Sequence, residues 1–260
     1  MKTDIQAIYR HAWAFARLCP LLFLVPVLAE LAQHAVEWQA GMYDGIAGAK
    51  AAEADTLRMQ FGFAKTLALL LPGYWFMRYI LFGGDAARAR RIEWPAIGLW
   101  LILFAIQATE QWWALFGPPL TGLLGLAGEP ARWTGYGLAL AGVILGVYLT
   151  AWNAAWAAGN AAIGPFRSIR IMTGSFWYTI LLMIAGIVPL MILHYALSFG
   201  AVFAPAFLDW PLLIVDALAV GYLALAMTGV SAIAARHAAD RKAVDLVDGG
   251  ADARSATPAI

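Results

Sequence analysis

The chain has 260 residues, of which 62% are hydrophobic and 13% charged, and its mean hydropathy is +0.72. A soluble domain is nearer about half apolar and a quarter charged, so this composition excludes an ordinary water-soluble globule. The net charge of +1 carries no electrostatic footprint for nucleic acid, and a single cysteine, Cys19, rules out an intrachain disulfide.

Residues 1–10 form a polar lead. The first apolar tract, 13–35, is long enough to cross a bilayer and contains Pro20 and Pro26. Proline removes a backbone donor and bends a transmembrane helix, so this span is expected to be kinked. It makes a poor cleavable signal: its lead is too long, carries Arg10 and Arg17, and no small-residue cleavage site follows. The span is expected to stay as an anchor.

Residues 37–60 read as a polar connection, with a surface helix over 49–58 running into the second span, 61–82. Pro72-Gly73 lies at the centre of that span. Arg78 lies near its end, where the side chain is expected to snorkel to the headgroups. The loop that follows carries Arg88, Arg90 and Arg91, and it leads into the third span, 96–113. Two spans joined by an arginine-rich turn make a hairpin with its turn in the cytoplasm.

Residues 116–133 read as an outer loop, apolar enough over 120–126 to dip back into the bilayer. The fourth span, 134–158, has Gly142 and Gly146 at a small-xxx-small spacing, which lets helix backbones approach closely. Asn153 and Asn160 are expected on one helix face, turned into the bundle. A loop with Arg167 and Arg170 precedes the fifth span, 176–196, which contains Pro189 and His194. The sixth span, 211–235, contains Asp216. The expected fold is therefore all-α: a polytopic membrane protein with a bundle of six kinked transmembrane helices over 1–240. A disordered tail, 241–260, follows. Thirteen of the 17 lysines and arginines fall on one side of this layout, which puts both termini in the cytoplasm of a bacterial inner membrane.

Glu30, His34, Glu110, His194 and Asp216 come from four spans and share the outer part of the membrane. Ionisable groups there are costly and turn toward a partner, the bundle interior or water. Converging, they would form a polar binding cavity, a proton relay or a metal site. No H-E-x-x-H or C-x-x-C pattern accompanies them, so no metal is expected. His11 and His34 lie at opposite ends of the first span, too far apart for haem, and no cofactor is expected. Neither a Walker pattern nor Gly-x-Ser-x-Gly is present, and no nucleophile stands out. The leading functional expectation is a non-enzymatic accessory or scaffold subunit that packs with lipid, a membrane-protein partner or a second copy. The alternative is a small-molecule or ion transporter that uses the outer polar site.

The opening Ala12-Trp13-x-Phe15-Ala16-Arg17, the Gly83-Gly84-Asp85 end of the second span and the arginine-bearing loop before the fifth carry a resemblance. They resemble the six-helix membrane domain found ahead of some bacterial glycerophosphodiester phosphodiesterases, and its stand-alone relatives. The resemblance implies a helical inner-membrane protein, and no catalytic residue carries over, because the soluble phosphodiesterase domain is missing.

Overall fold

The computed structural model describes residues 1–247. It is 82% helix with no strand among the described residues, which settles the all-α class. The expected tail, 241–260, falls mostly outside the described residues. Four segments are long and apolar enough to cross a membrane: Pro20–Gln39, Gly128–Ala158, Phe176–Phe203 and Ala206–Arg241.

The chain divides into two compact units. Unit 1 is Met1–Arg90 with Leu181–Val230, and unit 2 is Arg91–Ile180 with the chain from Ser231 onward. Unit 1 opens with α1 (Lys2–Leu18) and α2 (Pro20–Gln39). The first span therefore does not begin at Trp13. Cys19 leaves helical geometry at φ −133° and ψ 58°, and Pro20 becomes the first residue of α2. Proline suits that position because the missing N–H would be unpaired there in any case. The separated α1 is amphipathic. Ile8, Ala12 and Phe15 fall on one helical face and are wholly buried. Phe15 meets Phe76 at 5.0 Å between ring centroids, and the Tyr9 hydroxyl donates to the Gly186 carbonyl at 3.1 Å.

α3 (Gly45–Ala52) is followed by α4 (Thr56–Leu70) and α5 (Gly73–Leu81). The surface helix ends before 58 because Asp55 caps α4, its carboxylate accepting from the Arg58 amide at 2.7 Å. The second apolar tract is divided at Leu71-Pro72, where proline takes a donor out of the helical ladder. After the four-residue α6 (Ala86–Ala89), unit 1 resumes with most of α11 (Phe176–Phe203) and most of α12 (Asp209–Arg241).

Arg78 corrects the snorkelling expectation: it is wholly buried. Its Nε donates to the Ala89 carbonyl at 3.2 Å, and its guanidinium lies 5.2 Å from the Tyr74 ring and 4.8 Å from the Phe82 ring. The tight Gly83-Gly84 turn, both glycines at positive φ, brings Ala89 back over α5. Arg78→Met should therefore lower stability by about 1.5–3 kcal/mol, the range for a hydrogen bond to a charged group. Tryptophan-monitored unfolding in detergent measures it. Arg78→Lys should recover less than half of the loss, since an ammonium lacks the planar fork. Wild-type stability in Arg78→Met would show the guanidinium to be dispensable.

Unit 2 contains α7 (Trp94–Phe116), the single turn α8 (Leu120–Leu123), α9 (Gly128–Ala158) and α10 (Pro165–Met172). α7 is long, but Gln107, Glu110 and Gln111 dilute its apolar character, and it is not among the four. α9 begins six residues earlier than expected and shortens the outer loop. It ends at Gly159, in the left-handed region at φ +95°. Asn160 therefore lies beyond the helix rather than on its face. Its Oδ1 accepts from the Ala162 amide at 3.0 Å, while Asn153 is half-buried on α9 itself.

The expected loop with Arg167 and Arg170 is the helix α10. Those arginines are exposed on one side, and Ser168, Ile171 and Met172 are buried on the other. Proline at its first position starts the helix. The Ser168 hydroxyl accepts from the Trp152 amide at 2.9 Å and donates to the Tyr148 carbonyl at 2.7 Å. One residue of α10 thus bonds both ends of one helical step of α9.

Among the described residues Gly142 and Gly146 mediate no close approach: a Cβ on either would meet nothing within 4 Å. Backbones come close elsewhere. A Cβ on Gly221 of α12 would lie 2.5 Å from Val27 of α2, and one on Gly186 of α11 would lie 2.7 Å from Val230 of α12. The outward faces of α9 and α11 stay greasy, with Leu140, Val143, Leu145, Leu181, Ile184 and Ile192 exposed. Such faces are at home in lipid and a liability in water.

Candidate functional site

α2 places Glu30, Gln33, His34 and Glu37 on one helical face, and all four are buried. α4 lies against α2 and presents Arg58 and Lys65, two turns apart, to that face. Lys65 Nζ is 3.1 Å from Glu30 Oε2 and 3.3 Å from Oε1. Arg58 Nε donates to Glu37 Oε1 at 3.1 Å, and Gln33 Nε2 donates to the same oxygen at 2.8 Å. The chain then turns at Gly41, in the left-handed region at φ +74°, and returns Tyr43 to the cluster. Its hydroxyl donates to Glu37 Oε2 at 2.9 Å. Burial, and next the adjacent Glu37 carboxylate, push the Tyr43 phenol well above its ordinary range, so it stays a donor.

His34 is the hub. Its Nδ1 is 3.1 Å from Glu37 Oε2 and 3.0 Å from the Tyr43 oxygen. Its Nε2 is 3.0 Å from Asp216 Oδ2 and 3.4 Å from Glu30 Oε1. Asp216, on α12 and wholly buried, spends its other oxygen on His194 Nδ1 of α11 at 2.8 Å. The site therefore holds three carboxylates against two fixed cations. Glu30 has Lys65 and Glu37 has Arg58, whereas Asp216 is held by two imidazoles. Burial of an unbalanced carboxylate is costly, so this excess charge needs a proton or a cation nearby.

Beside the cluster lies a cavity of about 430 Å³, lined by Glu30, Gln33, His34, Glu37, Lys65 and His194 among others. Phe199 and Phe203 of α11 supply part of its apolar wall. That volume suits a small solute.

The structure brings together Glu30, His34, His194 and Asp216. Glu110 belongs to unit 2, where it is exposed on α7. Arg88, Arg90, Arg91, Arg167 and Arg170 are all exposed. Gln33, Glu37, Tyr43, Arg58 and Lys65 were missed by sequence reasoning. A signal existed. Glu30 and Glu37 are separated by the same interval as Arg58 and Lys65, so two helices carry opposite charges in matching register.

No protein-family model, curated protein or solved structure matches this chain.

Proposed function

We propose that this is a small transporter or permease component that binds a polar or ionic solute in the unit 1 cavity. The observation that carries the reading is the cavity itself, with Glu30, His34 and His194 on its wall and Asp216 behind the two imidazoles. A scaffold would be expected to splay such groups toward the interface. Here they converge, buried and mutually bonded, on an open space, as intramembrane sites for solutes and ions do.

The reading takes six crossings, with both termini in the cytoplasm of a bacterial inner membrane. Leu71 and Pro72 both keep right-handed helical dihedrals, so α4 and α5 follow one helical path through the break. The one-sided distribution of lysine and arginine gives the orientation. In that frame α2, α4, α11 and α12 all place their site residues in the outer half of the membrane. Pro26, Pro72 and Pro189 are the bends at which the cavity would change sides.

Labelling from each face tests this. In a Cys19→Ala background, Ser198→Cys places a thiol on the cavity wall. A transporter exposes it in turn to both sides, so an impermeant maleimide should modify it in right-side-out and in inside-out vesicles. Modification from the outer face alone would indicate a fixed binding pocket. Modification from neither would return the reading to a scaffold. One observation favours that second reading: the open face of α9 at Gly142 and Gly146 is shaped for a partner helix or a second copy.

A further inference from the structure

We infer that the solute site takes a divalent cation of the zinc class, held by Glu30, Asp216 and a ring nitrogen of His194. The inference rests on the reading of the cavity as a solute site. One oxygen from each carboxylate and one nitrogen from His194 lie within 4.8 Å of one another. Zinc bonds to oxygen and nitrogen are about 2.0–2.2 Å long and point to the corners of a tetrahedron, so two ligand atoms sit roughly 3.4 Å apart. Small side-chain rotations close the difference. Carboxylate with imidazole is a donor set that suits zinc and its neighbours and suits magnesium poorly.

A second feature points to a cation independently. Gln33 lines the same cavity and is 93% buried, yet its Oε1 accepts no hydrogen bond among the described residues. A buried amide oxygen without a donor is a site for a positive ligand or for water that such a ligand carries. One neighbour is also arranged as a support. His34 Nε2 lies 3.0 Å from Asp216 Oδ2, so that carboxylate is oriented by a second group.

Lys65 gives the site its control. Its ammonium occupies the Glu30 carboxylate that the ion needs, and its side chain is 19% exposed, with a path into the cavity. Binding would exchange one cation for another: the ammonium leaves Glu30 for water as the metal arrives. With Lys65 withdrawn, a divalent ion neutralises Glu30 and Asp216 together, while Arg58 continues to balance Glu37. Lysine thus acts as a tethered competitor that keeps the empty site near neutrality.

Calorimetric titration of ZnCl2 into the full chain, purified in mild detergent and stripped with chelator, tests this. One ion per chain is expected. Glu30→Gln and His194→Gln should each weaken binding by about tenfold or more, at least the loss seen when a supporting residue is removed. Lys65→Met should tighten it by about tenfold, and this variant leaves every ligand in place. Equal binding by wild type, Glu30→Gln and His194→Gln would overturn the proposal, and so would no binding at all. If the two ligand variants fail to fold, unchanged or weaker binding by Lys65→Met would overturn it alone. Two-sided labelling of Ser198→Cys does not depend on zinc. A protein labelled from both faces that binds no zinc keeps the transporter reading and loses only this ion.

Discussion

Asp216→Ala should destabilise the protein by about 3–5 kcal/mol, the usual cost of removing one partner from a buried charged network. Asp216 is wholly buried and links His34 on α2 to His194 on α11 from its own place on α12. Its removal takes one acceptor from each imidazole, and three helices lose their common bond. Asp216→Asn should lose roughly half as much, because the amide can still accept from one histidine. Reversible unfolding in mixed micelles, followed by tryptophan fluorescence, reads both. A loss below about 1 kcal/mol for the alanine variant would place the groups in water rather than in a closed network, since exposed pairs contribute no more than that.

Gly221→Ala should cost about 1–3 kcal/mol, as overfilled interiors do. The new methyl would stand 2.5 Å from Val27 Cγ2 and 3.1 Å from the Phe23 ring. Both neighbours belong to α2, so the clash drives α12 away from the helix that carries His34. Shortening Val27 to alanine should relieve it. The Val27→Ala/Gly221→Ala pair should be more stable than the two single losses predict, by about 0.5–3 kcal/mol. Additive losses would mean that the two helices are not in register here. Gly142→Ala and Gly146→Ala serve as the contrast: a Cβ meets nothing at either position, and each change should stay within about 0.5 kcal/mol.

These two glycine sets show where a sequence stops being readable. The 142/146 spacing is a local pattern, visible in one helix. Whether a second backbone lies opposite is a property of the other helix, and at Gly221 no motif announces it. Four of the six expected tracts were legible as long apolar helices, because lipid imposes a length on each one separately. The end of the fourth span was legible at Gly159, where glycine acts through its own backbone, whereas Pro165 heads a helix that reads in the sequence as a loop. The break at Cys19 was missed because Pro20 fits equally well inside a kinked span and at the head of a new helix.

The site divides along the same line. Glu30, His34, His194 and Asp216 stood out because a charge in an apolar run is conspicuous by itself. Glu37, Arg58 and Lys65 sit at or beyond the polar margins, where a charge is ordinary, and only their contacts mark them. Glu110 was conspicuous for the same reason as the four and proved to be exposed. Arg78 went the other way, since its partners include the carbonyl of Ala89, which no side-chain pattern records.

α9 has 31 residues, about 46 Å of helix at about 1.5 Å per residue, whereas a hydrocarbon layer is about 30 Å thick. A rod this much longer than its solvent must lean, or carry its surplus into the aqueous phase. Its first turns hold Glu129 bonded to Arg132 at 2.8 Å, a charged collar that belongs in water, so the surplus stands at that end. The greasy portion behind the collar still exceeds what a thin bilayer covers. A helix longer than the hydrocarbon layer takes up the remaining difference by tilting, at a modest cost per ångström of mismatch.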